Sequence, residues 1–200
     1  MIRRQWAQAL LDQNRVMQGL RTLEDLLAKC GTHPVEGSEI RGLMGRAYKQ
    51  LYINHGDPEN LRSAVSAYAL DGRMRSGDYR WQGINLAGLS SRARPDGVAL
   101  AYDLDPASIA QEILADIEGR EVGGIWDYGT AMEACVALGN KEGVLAYAAK
   151  YLCHPDADAF ELRSTLRQLK EVWQLEKTPD VRIGEQYGSA GRSLRSVNSP

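Results

Sequence analysis

Cys30-x-x-His33 and the adjacent pair Cys153-His154 are the groupings in this 200-residue chain whose types suggest metal ligation or thiol chemistry. A structural zinc site needs four ligands, commonly as Cys and His pairs at short spacing. Here the two halves lie far apart, Cys30 just before Gly31 and Cys153 just before Pro155, so both read as helix-end residues. A Cys–His hydrolase needs a thiolate beside a base that a third group orients. Adjacent helical positions project about 100° apart, so Cys153 and His154 do not serve one another. Asp103/Asp105 and Asp156/Asp158 flank Pro106 and Pro155, where helix capping explains paired carboxylates. The sequence carries no Gly-x-Ser-x-Gly, P-loop, His-Glu-x-x-His or Gly-x-Gly-x-x-Gly pattern. The expectation is a chain with no catalytic group, no metal and no cofactor.

Basic and aromatic residues mix around Arg80-Trp81, with Arg73, Arg75, Arg92 and Arg94 nearby, as they do in single-strand nucleic-acid binders. Asp71, Asp78 and Asp96 interleave with them, so a solvated helix surface is expected and no nucleic acid. Trp6, Trp126 and Trp173 fall on or near apolar stripes and are read as packing between helices.

Positioning these residues falls to helices. Val16, Leu20, Leu23 and Leu27 keep one face of a 3.6-residue period, and Leu43, Met44, Ala47, Tyr48, Leu51 and Tyr52 keep another. Leu61, Ala64, Val65 and Tyr68 mark a third helix behind Asp57-Pro58-Glu59, and a fourth spans roughly 79–92. Asp105-Pro106 predicts an N-cap with proline in the first turn, ahead of Ile109, Ile113, Leu114 and Ile117. Ile125, Gly129, Met132 and Val136 predict a helix that Gly139-Asn140 ends. Val144, Leu145, Ala148, Tyr151 and Leu152 supply the next, and Leu162, Leu166, Leu169 and Trp173 the last. Val98–Tyr102 is the one strand-like run, and a lone strand has no partner, so it reads as an extended link or more helix. The prediction is all-α, eight or nine helices over residues 1–175, then a flexible Gly/Ser-containing tail or linker over 176–200.

Composition narrows the class. The chain is 44% hydrophobic and 25% charged, as soluble globular chains are. No apolar run approaches the ~18 residues of a membrane span, and Met1–Trp6 opens no signal-peptide core. Residues 1–100 are net +4 and residues 101–200 net −6, an asymmetry read as a solvated surface. Three widely spaced cysteines fit a reducing compartment. A cytoplasmic location follows as an expectation, with no membrane partner.

Small residues recur at matching positions: Ala7, Gly45, Ala87 and Met132 stand 38, 42 and 45 residues apart. Leu43-Met44-Gly45-Arg46-Ala47-Tyr48 followed by Ala64-Val65-Ser66-Ala67-Tyr68 resembles the tetratricopeptide pattern, with enlarged links around Asn54–Asn60 and Arg94–Pro106. Further motifs agree in order. Ser38-Glu39-Ile40-Arg41-Gly42-Leu43-Met44-Gly45-Arg46-Ala47-Tyr48-Lys49, Tyr79–Ala87, Ile125-Trp126-Asp127-Tyr128 and Ser164–Leu169 resemble segments of the TRAF-binding domain family, the central region of apoptosis signal-regulating kinases and of related bacterial proteins. The resemblance spans roughly residues 8–175. It implies a tetratricopeptide-like scaffold that holds partner proteins or serves an effector domain.

The functional expectation is a non-catalytic scaffold, an α-solenoid binding a protein or peptide along its concave face. The repeat register nominates Arg46, Lys49, Gln50, Trp81, Asn85, Arg92, Trp126 and Glu133 as groove residues. Asn85, inside the apolar run Ile84–Ala87, either faces that groove or is satisfied by a neighbouring helix or loop, and the second is preferred. The cluster Arg41, Arg46 and Lys49 predicts an acidic or carboxylate-bearing partner, weakened when Arg46 and Lys49 become Glu. The alternative is a regulatory or sensor module for an effector enzyme, encoded downstream of the tail or in a separate chain. At the start of the chain, Trp6, Leu10 and Leu11 either pack inward or meet a second copy.

Overall fold

The computed structural model describes residues 2–30, 34–72, 79–120 and 123–177. Expectations for His33, Arg73, Arg75, Asp78, the side chains of Cys30 and Asp71 and the tail from 178 onward lie outside them. Among the described residues the chain forms nine α-helices and a short 3-10 turn, Leu175–Lys177, with no strand. The helices are α1 (Ile2–Asp12), α2 (Val16–Cys30), α3 (Pro34–His55), α4 (Pro58–Gly72), α5 (Tyr79–Ala93), α6 (Pro106–Glu118), α7 (Ile125–Ala137), α8 (Lys141–Leu152) and α9 (Ala159–Glu171). Val98–Leu100 forms neither helix nor strand, and Val98 is buried in the core.

Local chemistry sets the boundaries. Asp105 caps α6 by accepting from the backbone N–H groups of Ala107 and Ser108 at 3.2 and 3.3 Å. Asn140 caps α8 through Gly143 N–H at 2.9 Å, and Asp158 caps α9 through Phe160 and Glu161 N–H at 2.6 and 3.2 Å. Gly139, at φ +66°, turns the chain out of α7 in the left-handed region that favours glycine.

From α1 to α8 each helix packs on the next. Their apolar faces merge into a row of three clusters. One joins Ala7, Leu11, Leu20 and Leu23 to Ile40, Leu43 and Ala47. The middle one holds Leu61, Val65, Tyr68 and Leu89. The third holds Ile84, Ile113, Ala131 and Ala134. A core arranged in series, one cluster per helix-pair junction, is what a repeat stack produces. The four aligned small-residue positions are all buried. Gly45 shows why: a Cβ there would lie 2.8 Å from the ring of Tyr68, so α3 and α4 meet with no room for a side chain. The fold is an all-α, tetratricopeptide-like helical-repeat array.

The last helices depart from the expected packing. Leu145 and Leu152 of α8 are exposed, and so are Phe160, Leu162 and Leu166 of α9. Leu162 and Leu166 of the expected stripe therefore face outward, while Leu169 is half-buried, Thr165 and Gln168 turn inward and, just beyond the helix, Val172 and Trp173 pack on the core. Helical periodicity is present as expected, but only the end of the expected stripe reaches the core. Trp6 and Trp126, expected between helices, are 57% and 51% exposed. Leu10 and Leu11 pack inward.

Candidate functional site

The odd-numbered helices α3, α5 and α7 each contribute one polar residue to a common place. Lys49 of α3, Asn85 of α5 and Glu133 of α7 converge there, and α9 lies across them. The Lys49 ammonium donates to Asn85 Oδ1 at 2.6 Å and to Gln168 Oε1 at 2.8 Å. Gln168 Nε2 donates in turn to Asn85 Oδ1 at 3.1 Å, and Asn85 Nδ2 donates to the Trp81 carbonyl at 2.8 Å. The Trp173 indole N–H donates to Glu133 Oε2 at 2.7 Å. Asn85 thus faces the groove, and its partners are two side chains and its own helix's backbone.

Arg92 of α5 completes the contact. Its guanidinium donates to the Glu171 carbonyl at the end of α9, pairs with Asp96 at 2.8 Å and stacks over the Tyr52 ring at 5.2 Å. A cation on the terminal carbonyls also opposes the negative end of the helix dipole. Apolar contact comes from Val172 and Trp173, which reach the middle cluster beside Gly88. A Cβ on Gly88 would fall 2.9 Å from Val172 Cγ1 and 3.2 Å from Trp173 Cζ2, so this glycine admits the chain end that follows α9.

Electrostatically the site is a near-neutral pair enclosed by α9. Burial lowers the Lys49 pKa from 10.5 to about 8, against the opposing pull of Glu133. Burial raises Glu133 above the usual carboxylate range, while the Trp173 indole, the charge of Lys49 and the Gln168 amide hold it down. Either charge without the other would be a buried, uncompensated ion, which is strongly destabilising.

The other nominated residues sit elsewhere. Arg46 pairs with Asp12 of α1 at 2.6 Å, and Gln50 donates to Asn54 at 2.9 Å. Both line a cleft of about 940 Å³ between α1, α3 and the first turns of α9, with Phe160, Arg163 and Arg167 on its other wall. Trp81 rests edge-on against Tyr68, with ring centroids 5.9 Å apart, and fills the space left by Gly42. Trp126 lies in the exposed first turn of α7 and neither lines this cleft nor joins the polar cluster. The basic docking surface expected from Arg46 and Lys49 is not formed as such, because Lys49 lies under α9 and is already bonded on two sides.

Sequence reasoning missed Gln168, Trp173 and Gly88 as parts of this site. Gln168 was hidden inside the Ser164–Leu169 motif, and Trp173 was read as core. A signal did exist: a polar residue buried on each of two or three successive first helices requires a polar partner from outside the repeats.

Among the described residues no three His, Cys, Asp or Glu side chains cluster as metal ligands. Cys153 is exposed at the end of α8, and His154 meets Tyr128 edge-on with ring centroids 5.9 Å apart. Arg80, read with the basic and aromatic patch, instead pairs with Asp127 and lies 3.5 Å from Asp116. No helix among the described residues is long and apolar enough to cross a membrane.

Comparison with known families agrees with this architecture. Residues 1–90 match the family described as Tetratricopeptide Repeats-Sensor. No curated protein and no solved structure matches the chain. The family that matches is thus of the tetratricopeptide type, and the TRAF-binding domain family, suggested by the motifs, is not the one found. The match covers α1 to α4 and most of α5, the helices that carry Lys49 and Asn85. Serial core and family match agree on the fold, a tetratricopeptide-like helical-repeat array whose first 90 residues are similar to that family.

Proposed function

We propose that this protein is a non-catalytic interaction module that holds a segment of a partner protein along its concave face. The observation that carries the reading is the convergence of Lys49, Asn85 and Glu133, from three successive odd-numbered helices, on a helix laid across them. A face that satisfies one helix through side-chain hydrogen bonds and a glycine notch has the chemistry to hold another. The accessible part of that face is the cleft of about 940 Å³ beside α9. Its walls carry Arg46, Arg163 and Arg167 against Asp12 and Asp158, an excess of one positive charge that favours an acidic or carboxylate-bearing segment.

Peptides selected on the full chain from a random-sequence display library test this reading. They should be enriched in Asp and Glu, lose at least about tenfold in affinity on Arg163→Glu, and weaken with salt. Peptides that bind Arg163→Glu as tightly as wild type would place recognition off this cleft.

A second reading, a sensor that controls an effector enzyme, is supported by the description of the matching family and by α9 covering part of the groove. The effector would be a further part of the polypeptide or a separate chain, and the motif resemblance to the TRAF-binding domain family points the same way. A cytoplasmic setting is in keeping with the free thiols of Cys135 and Cys153.

A further inference from the structure

We propose that α9 is a displaceable ligand held in cis, and that the groove's ligand in trans is a partner helix with a carboxamide in its last turn and an indole in the residues just past its end, as Gln168 and Trp173 are placed. The inference rests on the groove-binding reading above and adds to it the chemical class of the partner and the means of regulation.

Four observations carry it. First, α9 is docked with most of its apolar side chains outward, Leu169 alone of its leucines being half-buried. Thr165 and Gln168 face the repeats while Phe160, Leu162 and Leu166 stand 63%, 36% and 52% exposed. A helix added only to seal a core would turn its leucines inward, because burying apolar area is the dominant gain in packing. Second, its attachment is directional: Gln168 to Lys49 and Asn85, Trp173 to Glu133, and Arg92 to the Glu171 carbonyl. Such contacts are chemically specific and modest in net strength, since undocking returns the groups to water. Third, the first turns of α9 leave the adjoining cleft open, so part of the concave face is free while α9 is in place. Fourth, the link from Cys153 to Asp158 is short, capped at both ends and largely exposed, so α9 can leave without unravelling α8. A unit whose buried apolar anchors are confined to Val172 and Trp173 at its end, on an exposed tether, belongs toward the low-stability end of a protein's opening spectrum.

Displacement then follows from competition. The floor of the groove keeps Lys49 and Glu133 satisfied whichever helix supplies the amide and the indole. A partner helix with that pair gains the same bonds, and its own apolar residues can cover the outward leucines of the released α9 or the cleft beside it. The apparent affinity for such a helix is reduced by the fraction of molecules in which α9 is docked. Weakening α9 on its own side therefore strengthens binding in trans, because the floor is untouched.

The test uses the full chain and a fluorescein-labelled synthetic peptide of residues 156–177, read by fluorescence anisotropy. Wild-type protein should bind it weakly. The Gln168→Ala protein, altered only on α9, should bind the same peptide about tenfold more tightly. A peptide carrying both Gln168→Ala and Trp173→Ala should lose that gain. Circular dichroism checks that the helix content of the Gln168→Ala protein is retained. Native-state hydrogen exchange on wild type supplies the second measurement: amides of 165–172 should exchange through an opening well below that of 83–90 in α5.

Equal binding by wild type and Gln168→Ala, or protection of α9 as strong as that of α5, would overturn the proposal and make α9 a fixed cap. Such a result is separable from failure of the groove-binding reading. Display-selected peptides sensitive to Arg163→Glu would still bind beside a fixed α9, whereas loss of both behaviours would remove the groove itself.

Discussion

Trp173→Phe probes the bond that ties the end of α9 to the repeats. Phenylalanine keeps an aromatic ring but loses the indole N–H that reaches Glu133 Oε2 at 2.7 Å together with part of the ring beside Gly88, so the bond itself is read from the cycle with Glu133→Gln. Glu133 is 8% exposed, so water does not readily replace the donor. A hydrogen bond to a charged group contributes about 1.5–3 kcal/mol, and orphaning a buried carboxylate falls toward the upper end of that range. The measured loss also has a ceiling, the free energy of docking α9, because an undocked α9 has nothing further to lose.

The sign of the pH dependence follows from Glu133. Its folded pKa is raised above 4.5 by burial, and the indole is among the groups that hold it down. Removing the indole raises it further. The variant's deficit is then fullest at a pH where Glu133 is ionised in both proteins, and it shrinks as pH falls through the variant's raised pKa toward that of wild type. Urea unfolding followed by circular dichroism should give a loss of about 1.5–3 kcal/mol at pH 7.5 and less at pH 5. The cycle with Glu133→Gln should show a coupling of about 1 kcal/mol or more. A loss under about 0.5 kcal/mol at pH 7.5, or strict additivity with Glu133→Gln, would refute the bond as a tether.

Other perturbations probe the frame and the charge pair. Gly45→Ala places a methyl 2.8 Å from the ring of the fully buried Tyr68. The overpacking costs about 1–3 kcal/mol, against a helix-propensity gain of at most about 1 kcal/mol, so the melting temperature should fall by several degrees. Gly37→Ala, where the new methyl meets only the Arg41 guanidinium at 3.3 Å, should leave it unchanged or higher, and calorimetry of the two variants decides. Lys49 has a folded pKa of about 8 against 10.5. The unfolded chain therefore binds more protons between those values, and this group's contribution to stability rises with pH across that window. The stability of wild type relative to Lys49→Met should accordingly climb by about 1–3 kcal/mol between pH 7.5 and 10, and a flat difference in denaturant titrations would contradict the burial of that ammonium.

The existence of each helix was legible in the sequence because helix formation is signalled locally. Val16–Leu27 keep one 3.6-residue stripe, Asp105-Pro106 spells out a cap with proline in the first turn, and Gly139-Asn140 marks an end. The repeat register was legible too. Close approach of paired helices demands small residues at fixed places, and Gly45 and Ala87 mark them, as the Tyr68 ring over Gly45 shows. Of the nominated residues, Lys49, Asn85 and Glu133 are brought to one place, because the register alone sets which helix face each occupies. What filled that groove was not legible. The leucines at 162 and 166 and Thr165 with Gln168 give α9 two opposed faces, and periodicity does not say which one turns inward. Only the folded repeats decide it: they present a buried cation, amide and carboxylate that must be hydrogen-bonded, and Gln168 and Trp173 satisfy them where leucine side chains would leave them orphaned.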